Sequence, residues 1–387
     1  MQTPLSSCRP AAHAASAALL ALLAGCGGYG SGGSYGSGSM TNTSTNMTIS
    51  GAILPTLTAM TTIGSTLDPI EHGGNPYGLT VATATAGLIT KGDLIVCNFN
   101  DGATNTQGMG TTVIGLHATA GAMPYRIAQS AQLLGCSAVT SLPDGSIVAT
   151  ASQAHATALV APSGAISTPF SADAFAEPWS VIYATHESNA FVYVSNAMTG
   201  TIDRIAMNGD TQTSFTEIAS GFSVNMGVPG SISAPAGLTY DASNDTLYVV
   251  DTNANRVVAL SDVSAIGTDG VIVSGTEFSG PSAASAKVIA SGKPLNGPIS
   301  GALLVNGDLV VGNTLDGNRT NLLIEISPTA GVVATKNVDT GAAGAIFGIV
   351  AVPKTITTMG AYGSSNTQTN VIYFNDDNSN SVMLLAQ

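Results

Sequence analysis

The sequence predicts an all-β protein: a six-bladed β-propeller of four-stranded blades, preceded by an export leader and a flexible tether. Three observations carry that expectation. A strand–turn–strand–turn–strand unit recurs six times across residues 76–387, at about 52 residues per unit. Only 9% of the residues are charged, while glycine alone supplies 45, and Thr, Ser and Asn abound; long helices would need periodic arrays of Glu, Lys, Leu and Ala instead. Beyond residue 26, no apolar run approaches the 18 or so residues of a membrane-spanning helix.

The fourth unit is the clearest. It opens with Pro235-Ala236-Gly237-Leu238-Thr239-Tyr240-Asp241 and turns at Asn244-Asp245. It continues as Thr246-Leu247-Tyr248-Val249-Val250-Asp251 and then Asn255-Arg256-Val257-Val258-Ala259-Leu260. Each run is about six residues of β-branched and aromatic character, and each turn carries Asn, Asp or Gly. The other units open at Pro76, Cys136, Pro178, Pro298 and Phe347. Their second strands are expected at Asp93–Asn98, Ser146–Thr150, Phe191–Asn196, Asp308–Asn313 and Asn370–Asn375. Fourth strands are expected at Tyr125–Ala128, Phe215–Ile218 and Lys287–Ala290. Such units repeated radially make a propeller. A sandwich would not restart on a Pro-x-Gly-like element, and a solenoid would use shorter units. The last unit ends after its third strand at Gln387, so residues 47–64 are expected to supply the strand that closes the ring.

Within the fourth unit, Leu247 to Val257, with Pro235-Ala236-Gly237-Leu238 and Asp241 before it, resembles the NHL repeat. The third and sixth units match more loosely, and the second and fifth have drifted. The resemblance implies a six-bladed propeller with a groove or funnel at the end of its central channel. It implies no single activity, because the superfamily, gluconolactonases included, holds binding domains, sugar-lactone hydrolases and lyases.

Two sets of positions stand out. The residue opening each first strand is small: Gly78, Ser137, Ser180, Gly237, Ser300 and Gly348. Inner strands crowd around a propeller axis, which gives small residues a structural reason. The second strands close on Asn98, Ala151, Asn196, Asp251, Asn313 and Asn375. These five Asn and Asp residues are candidates for a polar ring at the channel mouth, able to hold a cation, water or a polar ligand. The competing reading has them cap the turn into the third strand, as the NHL Asp does. Gluconolactonase-type relatives hold a divalent cation with carboxylate and amide oxygens, which makes Ca²⁺ the cofactor to consider. Asp251 would be the one carboxylate of such a ring, and amides do little to activate water or act as a base. His72, His117, His155 and His186 fall in different units and predict no His-metal centre. No Gly-x-Ser-x-Gly elbow marks a strand-to-helix junction. Asn375-Asp376-Asp377-Asn378-Ser379-Asn380 lacks the flanks and the Glu of an EF-hand and reads as a turn. Trp179 could stack on a sugar, but its place in a strand-opening Pro-x-Ser favours packing between blades.

Arg9 precedes an apolar run from Ala11 to Ala24, too short to span a bilayer and of signal-peptide length. Leu23-Ala24-Gly25-Cys26 resembles the bacterial lipobox. That resemblance implies a signal peptide at 1–25 and a lipidated Cys26; a flexible tether over 26–46 follows from composition, since residues 27–39 are only Gly, Ser and Tyr and cannot bury a core. Gly27 rather than Asp implies the outer membrane. In an exported chain Cys97 and Cys136 either pair as a disulfide or sit as separately buried small side chains. A net charge of −13 excludes nucleic acid as a partner. The expected function is a monomeric, envelope-anchored binding or scaffold module for a protein, glycan or small ligand, the membrane being met through its lipid. The alternative is a metal-dependent lactonase- or lyase-type enzyme working at the channel mouth.

Overall fold

In the computed structural model the described residues are 46–48 and 51–387, except 169, 171–174, 226, 230–232 and 361–362. The leader, Cys26 and nearly all of the tether lie outside them. Among the described residues the helices are single 3₁₀ turns of three residues, and no helix is long and apolar enough to cross a membrane.

Short β-branched runs punctuated by Asn, Asp and Gly turns form antiparallel meanders, and the described strands group into six sheets. The first sheet runs Gly74–Val81, Leu94–Asn100, Gln107–Leu116 and Tyr125–Gln129. The first strands of the other five are Cys136–Ser141, Pro178–His186, Pro235–Asp241, Pro298–Leu303 and Ile346–Gly360. Each first strand packs on the first strand of the next sheet, and the sixth packs back on the first. The architecture is a β-propeller. Second strands are covered on both faces: all seven residues of Leu94–Asn100 and all six of Thr246–Asp251 are buried. The core is a set of apolar layers between neighbouring sheets, such as Tyr193, Leu238, Leu247, Val249 and Val258 between the third and fourth.

Three elements go beyond the sequence-based expectation. A hairpin of Val271–Ser274 and Glu277–Ser279, inserted in the fourth repeat, joins the third sheet by parallel pairing with Thr211–Ser220. Ile346–Gly360 and Gly363–Asp376 form a long hairpin. Asn46–Thr48 adds to it in parallel, opposite Asn366–Gln368. The outer strand of the sixth sheet is Ala59–Ser65, paired antiparallel with Ser381–Ala386, so both ends of the described chain share one sheet.

One irregularity repeats around the axis. In every sheet the pairing of first with second strand slips near its start, at Pro76/Gly78, Cys136/Ala138, Pro178/Ser180, Pro235/Leu238, Pro298/Ser300 and Ile346/Ile349. A bulge leaves backbone groups without a ladder partner. The preceding sheet supplies that partner. Ser137 Oγ donates to Pro178 O (3.2 Å), Ser195 Oγ to Ala236 O (2.7 Å) and Thr252 Oγ1 to Pro298 O (2.6 Å). Ser300 Oγ donates to Phe347 O, and Asn375 Nδ2 to Gly78 O (3.0 Å). The junction of the first and second sheets carries a covalent link instead: Cys97 and Cys136 form a disulfide with Cα atoms 5.4 Å apart.

The N-terminal segment has its own clasp. The fully buried Glu325 carboxylate accepts the Ile53 and Leu54 N–H groups at 2.8 and 2.7 Å and so caps the 3₁₀ turn Leu54–Thr56. Ile53, Leu54 and Leu57 are then buried against the fifth and sixth sheets. Burial pushes the Glu325 carboxyl up, while the two N–H groups oppose it. Glu325→Ala would orphan two buried N–H groups and should lower unfolding free energy by about 2–4 kcal/mol. Hydrogen exchange should accelerate selectively at Ile53 and Leu54; unchanged protection there would sink the clasp.

Candidate functional site

The bulges do more than expose carbonyls. They turn Tyr77, Ser137, Trp179, Ala236, Ile299 and Phe347 out of the two-residue alternation. Five of these six, all but Ser137, pack together with Phe99 in one apolar cluster. Tyr77 lies stacked between Phe99 and Phe347, with ring centroids 4.2 and 4.0 Å away. Trp179 meets Tyr77 and Phe99 at steep angles, 5.7 and 5.8 Å away. Tyr77, Trp179, Ile299 and Phe347 line two separate cavities. They form a partition across the channel.

On one side lies a chamber of about 500 Å³, walled by the first strands of all six sheets from the partition to Thr83, Tyr240, Leu303 and Pro353. Among the described residues, its lining includes no carboxylate, imidazole, thiol, ammonium or guanidinium. The small opening residues sit on this wall, and they are small because neighbouring strands nearly touch. A Cβ on Gly78 would lie 2.7 Å from Ala138 Cα, and one on Gly237 2.6 Å from Ser300 Cα. Most wall hydroxyls are engaged within the protein: Ser137 and Ser300 tie sheets together, Thr83 Oγ1 donates to Leu142 O at 2.5 Å, and Thr140 Oγ1 accepts from Tyr183 N–H at 3.1 Å. Thr239 Oγ1 is buried with no hydrogen-bond partner, and the half-buried Thr80 hydroxyl has none among the described residues either. The chamber can hold an apolar body and offers it Thr239 Oγ1 as a hydrogen-bonding partner. Hydroxyls are the most reactive side-chain groups that the described residues present to it.

On the other side lies a vestibule of about 220 Å³, lined by Asn75, Gln107, Ser233, Thr252, Thr314, Leu315 and Asp377 above the partition. Asp377 is its one carboxylate among the described residues. Burial and the neighbouring Asp376 push it up to about 6. Sequence reasoning passed over it as a turn residue. A positional signal existed: Asp377 stands two residues past Asn375, as Leu315 stands two past Asn313, and both reach the vestibule.

The five ring candidates lie elsewhere. Asn98, Asn196, Asp251, Asn313 and Asn375 are each fully buried, and none lines either cavity. A second strand stands one layer out from the axis, so its last side chain meets the chain around its own turn. Asn98 Nδ2 donates to Thr66 O and Thr112 Oγ1. Asn196 receives Ala176 N–H and donates to Thr201 Oγ1 and Asp203. Asp251 accepts from Arg256 Nε at 2.8 Å and from Ala254 N–H. Asn313 receives Asn296 N–H and donates to Pro294 O and Asp316, while Asn375 donates across to Gly78 O. The structure gives these side chains turn-capping and sheet-linking partners and does not bring them to a common open point. Among the described residues, no group of three His, Cys, Asp or Glu could hold a metal ion. His117 Nδ1 pairs with Asp93 at 2.7 Å and His155 Nδ1 accepts Glu177 N–H, each in a separate loop.

No protein-family model matches the chain, and no curated protein does. Solved structures do. A candidate gluconolactonase is similar with a TM-score of 0.50 at 10% identity, over 84% of this chain and 91% of that one. Virginiamycin B lyase from Staphylococcus aureus gives 0.48 at 13% identity, over 85% and 99%. A chain of a nidogen/laminin complex gives 0.48 at 16%, over 69% and 81%. At such identities the likeness is one of fold, the β-propeller.

Asp203, 1% exposed beside Asn196, yields a pH test. Burial raises its carboxyl from 3.8 to about 7. The unfolded state therefore binds fewer protons than the native state between those values, and this group's contribution weakens as pH rises from 4 to 7. Asp203→Asn should flatten that fall and stabilise the fold at pH 8 by about 2–4 kcal/mol. Urea unfolding at pH 5 and pH 8 measures it, and parallel profiles for both proteins would refute it.

Proposed function

We propose that this protein is an envelope lipoprotein whose six sheets are the blades of a six-bladed, NHL-like propeller, and that it binds a small, largely apolar ligand in the channel chamber without transforming it. The carrying observation is the chamber wall, in which every first strand takes part and, among the described residues, no acid, base or nucleophile stronger than a hydroxyl stands. A volume of about 500 Å³ falls within the range of small-molecule sites. Thr239 Oγ1, buried and unpartnered, supplies a hydrogen bond that would orient such a ligand. Anchoring is part of the proposal. Cys26 would carry the lipid, residues 26–46 would serve as leash, and Gly27 favours the outer membrane. A single ring with a closed cycle of first strands favours a monomer.

The ligand test uses a neutral lipophilic dye such as Nile red with the mature chain. Wild type should bind saturably. Thr80→Trp, which fills the chamber from its wall, should abolish binding while thermal unfolding stays cooperative. Thr239→Val should keep the fold and weaken binding several-fold. Equal dye binding by all three proteins, or lactone turnover stimulated by Ca²⁺, would overturn the reading. Anchoring is tested separately: wild type should incorporate labelled fatty acid in a bacterial host, and Cys26→Ser should not.

A further inference from the structure

We propose that the vestibule is a second binding site, specific for a primary ammonium group borne on a small hydrocarbon body. It lies across the aromatic partition from the chamber, and its case is independent of what the chamber holds.

Two groups on its wall that lack protein partners, the Asp377 carboxylate and the Asn75 side-chain carbonyl, are acceptors. Asp377 receives no hydrogen bond on its carboxylate from any described group; only its backbone is engaged, its N–H with Ala345 O and its carbonyl with Asn380 N–H. Asn75 is 4% exposed, and its Oδ1 has no partner. The orientation of that amide is fixed by a chain of bonds. Asn100 Nδ2 is committed to Asn105 O and Oδ1, so Asn100 Oδ1 faces Asn75 and accepts its Nδ2 at 3.0 Å. The orphan on Asn75 is therefore the carbonyl oxygen. An unpaired buried acceptor is costly unless a donor arrives. Thr252 and Thr314 have already given their hydroxyl hydrogens to Pro298 O and Gly297 O and can only accept.

An ammonium group answers all of these at once, with three donors and one positive charge against one carboxylate. A divalent ion is a poorer match, because calcium sites gather six to eight oxygens, usually with several carboxylates. An anion would meet Asp377 with no cation on the wall. The partition below and Leu315 beside it, 59% exposed, offer apolar surface for a short hydrocarbon. The titratable groups facing Asp377 are Asp376 from its own turn and Tyr77 from the first sheet. Binding should therefore fall as pH drops below about 6, where Asp377 takes up a proton.

Trp179, the only Trp in the chain, lines the vestibule and serves as the reporter. Its emission should shift saturably with n-butylamine and phenethylamine at pH 7.5. The uncharged n-butanol and 2-phenylethanol should bind at least tenfold more weakly. Asp377→Asn removes a carboxylate that no protein group bonds and relieves its repulsion with Asp376, so the fold should hold; amine affinity should drop at least tenfold, while Nile red binding in the chamber stays unchanged. Affinity should also decline from pH 7 to pH 5 in wild type and not in the variant. Equal affinity for amine and alcohol, a saturable response to Ca²⁺ in place of amine, or an unaltered Asp377→Asn would each overturn the proposal.

Discussion

The slip that opens every first strand is the constraint from which the rest of this structure follows. A regular strand would pair all its backbone groups within its own sheet and leave neighbouring sheets joined only by apolar contact. Here each slip offers a carbonyl sideways, and a hydroxyl or amide of the preceding sheet takes it at five junctions. The sixth is sealed by sulfur. Hydrophobic burial between sheets is strong but non-directional. The carbonyl links add direction, fixing how far each sheet is turned relative to the next.

The same slips decide what fills the axis. Strict alternation would face small residues inward along the whole strand and leave an open tube. The extra residue swings Tyr77, Trp179, Ile299 and Phe347 inward and divides the tube in two. Charge is kept off the chamber wall: Asp251 is paired with Arg256, and Glu325 is spent on the N-terminal segment. What remains is one neutral compartment and one compartment with a single carboxylate.

Strand rhythm was legible in the sequence because its causes are local. Alternating β-branched residues and Asn, Asp or Gly turns act within six or seven residues, so units such as Pro235–Leu260 announce themselves. The small residues at Gly78 and Gly237 were legible for a related reason, since crowding at an axis is a property of the fold. The partition was not. A bulge breaks the alternation from which facing is read, and nothing around Tyr77 or Phe347 marks it. Asp377 was hidden in a polar turn that looks like any other, its character set by what the sixth sheet packs against. Asn98 and its counterparts share a repeat position, but a shared position fixes a shared layer, and that layer is not the one facing the axis. The hairpin at 271–279 escaped because it interrupts a repeat with a segment that completes a different sheet.

The sixth sheet joins residues from the two ends of the described chain, with Thr62 and Met383 in contact across 321 positions. A ribosome or a translocon delivers Thr62 long before Met383. For that whole interval Ala59–Ser65 has no antiparallel neighbour, and the layers flanking the sixth sheet stay wet. Contacts of such sequence separation form late and slowly, and an unpaired strand edge invites both aggregation and capture by chaperones. A copy cut before Ser381 would therefore expose Ala59–Ser65 as a raw strand edge, which pairing with Ser381–Ala386 otherwise hides.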